Sequence, residues 1–149
     1  MRARLGLLAA LLVTSAMAAR IAAKGTTVRL TLAGPGLSSP VEVTSPDAIS
    51  ANVWAGNFIE NPTTEPDKAF PRYTVSFYVE PPRNPVRMMY VVYYVRNPQT
   101  GQGFVYLPGR GEESYRLNVS TILRDGQDGK WHQAESGWSE AIAAALPQS

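Results

Sequence analysis

The sequence predicts a mainly β fold, an antiparallel sheet or small sandwich of about six to seven strands with a short N-terminal helix and a C-terminal helix. Several short segments alternate apolar and polar residues with a period of two, and the connections between them are too short for parallel crossovers. The 149 residues, of which 44% are hydrophobic and 17% charged, suit one globular domain. No internal repeat or shift in composition marks a second domain, so we expect a single β-rich domain over residues 19–149.

Residues 1–18 have the pattern of a secretory signal peptide. Arg2 and Arg4 provide a basic start, and an apolar run follows from Leu5 to Ala16. Small residues precede the expected cleavage after Ala18, with cleavage after Ala19 as the alternative. The run is shorter than the ~20 apolar residues that cross a membrane as a helix. We therefore expect a soluble protein that is secreted or periplasmic and has no stable membrane anchor once the leader is cleaved.

The first half of the remaining chain predicts two strands, a short helix and a long loop. Alternation of apolar residues predicts strands over Thr26–Leu32 and Val41–Thr44. Ser45 followed by proline is a typical helix start and predicts a short helix over Pro46–Ala51. Residues 54–71 contain several prolines and asparagines without a sustained period, which predicts an irregular loop.

The second half predicts a meander of strands followed by a helix. Strands are predicted at Arg72–Glu80, Met88–Val95, Gly103–Leu107, Ser114–Val119 and around Lys130–Ala134. Met88–Val95 is apolar on both faces, so we expect it to be the central strand, covered on both sides. The alanine-rich segment Trp138–Leu146 predicts the C-terminal helix, which ends at a proline.

Composition and charge narrow the chemistry. The chain has no cysteine and one histidine, which excludes disulfides, thiolate metal sites and any multi-histidine metal centre within one chain. We expect no metal or other cofactor. The net charge of +2 falls to zero when Arg2 and Arg4 leave with the leader. Since no run of basic residues is present to follow a phosphate backbone, we expect no nucleic-acid partner.

Three residues are candidates for catalysis, and none is assigned a catalytic role. His132 lies near a carboxylate in the sequence, an arrangement that can serve as a general base, and Glu112 and Glu113 form a carboxylate pair. Adjacent strand residues point to opposite faces, so the pair flanks one bond only if it lies in a turn. An extracellular hydrolase that uses Glu112, Glu113 or His132 is therefore an alternative to a protein without enzymatic activity.

A tyrosine-rich sheet face is the candidate binding surface. If the strands that carry Tyr78, Tyr90, Tyr94 and Tyr106 are neighbours, these rings form an aromatic platform that binds carbohydrate; the alternative is that the same face packs beneath the C-terminal helix. The loops at residues 54–58 and 109–113 combine aromatic or charged groups with backbone freedom. The candidate ligand-binding residues are Trp54, Tyr94, Tyr106, Arg110 and Glu112.

Five motifs spread over most of the mature chain carry a resemblance. They are VRLTLAGPGL at 28–37, PVEVT at 40–44, NVWAG at 52–56, YTVSFY at 73–78 and GQGFVYLPG at 101–109. With these motifs the chain resembles a group of uncharacterised exported bacterial proteins with no established activity. The resemblance implies a bacterial envelope or secreted setting and supplies no site residues. We therefore expect an exported binding or accessory module of the envelope, whose partner is an envelope protein or a polysaccharide.

Overall fold

The computed structural model describes residues 25–118 and 127–147, and these residues form one antiparallel sheet with two helices on it. The strands are β1 (Thr26–Ala33), β2 (Val41–Val43), β3 (Ile59–Thr63), β4 (Arg72–Glu80), β5 (Arg87–Arg96), β6 (Gly103–Leu107) and β7 (Lys130–Ala134). The helices are α1 (Pro46–Ile49), α2 (Ser136–Ala143) and a 3₁₀ turn at Ser114–Leu117. The prediction of a mainly β, antiparallel fold is confirmed, and the seven described strands form a single sheet rather than a sandwich.

Strand β5 lies at the centre of the sheet, as its sequence predicts. The strand order is β2-β1-β4-β5-β6-β7-β3, which places β5 fourth of seven. Its side chains alternate between the two faces of the sheet: Tyr90 and Tyr94 are buried on one, and Val91 and Val95 are buried on the other, where Tyr93 stays partly exposed. An apolar strand that is paired on both edges in the middle of a sheet leaves little of its surface to solvent.

The two faces of the sheet differ in what covers them. The helical face carries α1 and α2 and contains the main core, in which Trp138 of α2 packs against Phe58, Phe77 and Tyr94. The ring of Phe77 stacks on that of Trp138 at 6.3 Å, and the ring of Tyr94 meets it edge-on at 5.9 Å. We call the opposite side, which bears Thr74, Tyr93, Tyr106 and Trp131, the open face.

Helix α2 approaches the sheet most closely at Gly103. A Cβ atom at this position would lie 2.1 Å from Oγ of Ser139, so only glycine admits the helix at this distance. The same Ser139 hydroxyl lies 2.7 Å from the Tyr94 hydroxyl, a buried contact in which each group satisfies the other. The position of α2 on the helical face therefore depends on one small residue and one polar pair.

The prediction of an irregular loop over residues 54–71 is wrong in part, because β3 lies within it. β3 pairs with β7 at the edge of the sheet and contains Pro62, at a register shift between Ile59 and Pro62. Proline is tolerated on edge strands, where a missing N–H removes no bond to a second neighbour. Three of the five β3 residues are exposed, so the strand has no apolar alternation for the sequence to show.

The prediction of a strand over Ser114–Val119 is wrong for the described part of that segment. Ser114–Leu117 forms the 3₁₀ turn, while Val119 lies outside the described residues. Leu117, an apolar residue of the predicted strand, is 51% exposed. The next residue, Asn118, accepts a 2.8 Å hydrogen bond from the backbone N–H of Val91, so its side chain takes the place of a paired strand there.

The leader predicted over residues 1–18 lies outside the described residues. Within residues 25–118 and 127–147, neither helix has the length or apolar content that a bilayer-crossing helix requires.

Candidate functional site

The open face of the sheet contains a pocket of about 460 Å³, a volume within the range of ordinary ligand sites. Four neighbouring strands form its floor: β4 contributes Thr74, β5 Tyr93, β6 Tyr106 and β7 Trp131. The remaining lining residues are charged, namely Glu65, Arg72 and Glu112. The pocket thus combines an aromatic floor with polar groups at its rim, the usual composition of a small-molecule site.

The aromatic floor is a single row of cross-strand partners. Thr74 is the register partner of Tyr93, Tyr93 of Tyr106, and Tyr106 of Trp131. The ring centres of Tyr93 and Tyr106 are 6.3 Å apart, and those of Tyr106 and Trp131 are 5.2 Å apart. The interplanar angles are 29° and 45°, so the three rings form a curved surface rather than a flat one.

Arg72 covers one end of this row. Its guanidinium carbon lies 5.0 Å from the centre of the Trp131 ring, in a cation–π contact, and its Nη2 forms an ion pair with Glu65. The hydrogen bond from Arg72 lowers the pKa of the Glu65 carboxyl below its ordinary value. Glu65 is therefore an ionised carboxylate at neutral pH. Trp131, which lies under Arg72, is buried, with only 8% of its surface exposed to solvent.

Glu112 is held against Tyr106 by the turn that follows β6. Its Oε1 accepts a hydrogen bond from the Tyr106 hydroxyl at 2.5 Å and another from the Gly109 N–H at 3.0 Å. Burial and the neighbouring Glu112 carboxylate raise the pKa of Tyr106 to about 12. The phenol therefore stays protonated at neutral pH and donates to the carboxylate.

The structure places the five sequence-predicted binding residues in different environments. Tyr106 and Glu112 line the pocket and contact each other. Arg110 is exposed in the adjoining turn and does not line it. Trp54 is half-buried against the core, beside a smaller cavity near β1. Tyr94 is fully buried beneath α2, so it offers no surface to a ligand.

The platform predicted from Tyr78, Tyr90, Tyr94 and Tyr106 is wrong as a set. Tyr90 and Tyr94 are buried on the helical face, whereas Tyr78 and Tyr106 lie on the open face. Successive residues of a strand point to opposite faces, so Tyr90 and Tyr94 of β5 point toward the helices while Tyr93 points away from them. The packing of Tyr94 against Trp138 confirms the alternative that this part of the tyrosine set lies beneath the C-terminal helix.

The three candidate catalytic residues do not share a cleft. Glu112 lines the pocket, Glu113 is exposed and does not line it, and His132 is fully buried on the helical face. The two ring nitrogens of His132 each lie 3.2 Å from a backbone carbonyl oxygen, those of Glu60 and Gln127. Both nitrogens are thus engaged by the main chain, on the side of the sheet opposite Glu112.

Five pocket residues were not found by sequence reasoning. They are Glu65, Arg72, Thr74, Tyr93 and Trp131. Tyr93 had a local signal, since the alternation along β5 separates it from Tyr94. For Arg72 and Trp131 the decisive information is the strand order, which brings together residues 59 positions apart in the chain.

A scan against protein-family models found no match, and searches of curated proteins and of solved structures likewise found no protein similar to this chain.

Proposed function

We propose that this protein is an exported binding module of the bacterial envelope that holds a carbohydrate chain in its open-face pocket. The observation that carries the proposal is the pair of partly exposed rings of Tyr93 and Tyr106 on neighbouring strands, which the buried ring of Trp131 supports from the next strand. Aromatic side chains supply large, rigid, apolar surfaces that match the faces of sugar rings, while carboxylates at the rim accept hydrogen bonds from hydroxyl groups. The signal-peptide pattern of residues 1–18 supports the exported setting.

The position of the row in the sheet favours a sugar over a peptide strand as the ligand. Tyr93, Tyr106 and Trp131 each lie in a strand with neighbours on both sides, so the ladder hydrogen bonds already use the main-chain groups of these strands. A peptide that binds by strand addition needs a free sheet edge. A ligand at this site is therefore recognised by ring faces and side-chain polar groups, as a sugar is.

The charge state of the pocket favours binding over hydrolysis. Most glycoside hydrolases need one carboxyl group that stays protonated and acts as a general acid. Arg72 lowers the pKa of Glu65, which makes that carboxyl a poor proton donor at neutral pH. Glu112 acts as an acceptor in both of its hydrogen bonds, from the Tyr106 hydroxyl and the Gly109 N–H to its Oε1. Both carboxylates are suited to accept hydrogen bonds from a ligand.

Affinity electrophoresis in gels that contain soluble polysaccharides tests the proposal. We expect the purified protein to be retarded by at least one sugar polymer, and Tyr93→Ala and Tyr106→Ala to bind about tenfold more weakly. Tyr78→Ala is the matched control, because Tyr78 lies on the same face but outside the pocket. Thermal unfolding of each variant shows whether it is folded. Absence of retardation across the polymers, or equal losses in the control, would contradict the proposed function.

A further inference from the structure

We propose that the carbohydrate held in the open-face pocket carries free amino groups, and that Glu112 binds one of them as its ammonium ion. This inference rests on the proposed function and adds the charge of the ligand to it. Three observations support it: the hydrogen bonding of Glu112, the charge balance of the pocket, and the cation that already lies on Trp131.

Glu112 is a half-buried carboxylate that can accept further hydrogen bonds. Its Oε1 accepts hydrogen bonds from Tyr106 and Gly109, whereas its Oε2 has no hydrogen-bond partner within residues 25–118 and 127–147. No lysine or arginine of the described chain pairs with it. A carboxylate that is partly shielded from water binds most strongly to a ligand group that carries both a positive charge and N–H donors.

The three charged side chains that line the pocket do not balance, although Lys68 also lies near Glu65. Arg72 neutralises Glu65 by a direct ion pair, so the positive charge of the pocket lining is already matched. Glu112 then leaves the lining with a formal excess of negative charge. A neutral sugar leaves that excess in place, whereas an amino sugar compensates it.

The aromatic floor already accommodates a cation. The guanidinium of Arg72 lies over the ring of Trp131, at 5.0 Å from its centre, and beside the carboxylate of Glu65. Tyr106 and Glu112 also bring an aromatic side chain and a carboxylate together, here through the hydrogen bond from the Tyr106 hydroxyl, and no cation of the described chain pairs with that carboxylate. An ammonium ion bound there gains its attraction from the Glu112 carboxylate, on a face that already accommodates a cation.

Three hexasaccharides with the same β-1,4 linkage isolate the contribution of the amino group to binding. Calorimetric titration at about pH 6, where an amine of this kind is protonated, compares hexamers of glucosamine, N-acetylglucosamine and glucose. We expect the glucosamine hexamer to bind about tenfold more tightly than the other two. This preference should weaken as the salt concentration rises from about 20 to about 500 mM. In Glu112→Gln it should disappear, while Glu113→Gln, which changes an exposed carboxylate outside the pocket, should keep it.

The outcomes separate the two proposals. Equal binding of all three hexamers, lost in Tyr106→Ala, would overturn the amino-sugar inference and leave the carbohydrate-binding function standing. Binding of none of them, together with no retardation by any polysaccharide, would overturn both. Binding of an oligolysine peptide in place of the glucosamine hexamer, again lost in Glu112→Gln, would show that the cation comes from a protein and would also overturn the inference.

Discussion

The guanidinium carbon of Arg72 lies 5.0 Å from the centre of the Trp131 ring, although β5 and β6 separate their strands in the sheet. Neighbouring strands are about 4.8 Å apart, so β4 and β7 are roughly 14 Å apart along a flat sheet. The two side chains therefore converge over the surface between them and close one end of the pocket. This contact, together with the aromatic row, therefore determines the shape of the open-face pocket.

Arg72→Ala should uncover Trp131. The substitution removes the side chain that lies on the ring and leaves Glu65 unpaired, so Trp131 becomes more accessible and the pocket more negative. We expect stronger quenching of tryptophan fluorescence by acrylamide. We also expect about two- to fivefold tighter binding of the glucosamine hexamer, because a cation–π contact at such a site contributes about 0.5–1 kcal/mol. Arg29→Ala is the control, since Arg29 lies over Tyr78 outside the pocket. Weaker binding by Arg72→Ala would contradict the conclusion that Arg72 covers Trp131.

Tyr106 should titrate well above an ordinary tyrosine. Burial and the nearby Glu112 carboxylate raise its pKa to about 12 from 10.0. Because the unfolded chain ionises this phenol first, its contribution to stability is complete below about pH 10 and is lost as the pH rises toward about 12.

The ultraviolet difference titration between the native protein and Tyr106→Phe isolates this phenol. We expect its midpoint near pH 12, and a lower midpoint in a Glu112→Gln background, because the neighbouring negative charge is gone. Circular dichroism at each pH verifies that the protein remains folded. A midpoint near pH 10 would show that Tyr106 is not held against Glu112.

Gly103→Ala should destabilise the docking of α2. The added Cβ would lie 2.1 Å from Oγ of Ser139 and 2.9 Å from its Cβ, so the helix itself has to move. We expect the free energy of unfolding to fall by about 1–3 kcal/mol in urea denaturation. Gly137→Ala makes the same change in α2, where the nearest atom is 3.5 Å away, and should be neutral or slightly stabilising. Equal effects of the two variants would refute the close approach.

Glu135 should make stability depend on pH below about 4.5. Its carboxylate caps α2 by accepting hydrogen bonds from the N–H groups of Gly137 and Trp138, at 3.1 and 2.8 Å, and these bonds lower its pKa. A lowered pKa means that the stabilisation is fully present above the ordinary value of 4.5 and is lost as the pH falls through the value in the folded protein.

Glu135→Gln tests this cap. We expect the variant to be less stable by about 0.5–1 kcal/mol at pH 7, because the charge no longer complements the start of the helix. The difference in stability between Glu135→Gln and the native protein should become smaller in acid, and thermal unfolding at a series of pH values measures it. Glu140→Gln is the matched control, because it removes an exposed carboxylate of the same helix that does not cap its start. A Glu135→Gln profile parallel to that of the native protein would argue against the cap.

Most strands and both helices could be predicted because their signals are local. The alternation in β1 and β4, and the apolar run of β5, depend only on residues a few positions apart. β3 and the turn at Ser114–Leu117 could not be predicted, since long-range partners determine them: β3 forms along the edge of β7, and Asn118 hydrogen-bonds to β5. The residues that determine these two segments therefore lie partly in distant parts of the chain, where a local pattern cannot show them.

For this protein, the sequence alone determined a β-rich antiparallel fold, a central strand buried on both sides, and the candidates Tyr106 and Glu112. Tertiary structure decided which tyrosines contact each other and which face of the sheet contains the pocket. Register along β4 to β7 aligns Tyr93 with Tyr106 and Trp131, while α2 covers Tyr94. The physical reason is that a strand shows which residues share a side, but only its pairing and the helix packed against it determine which side is covered.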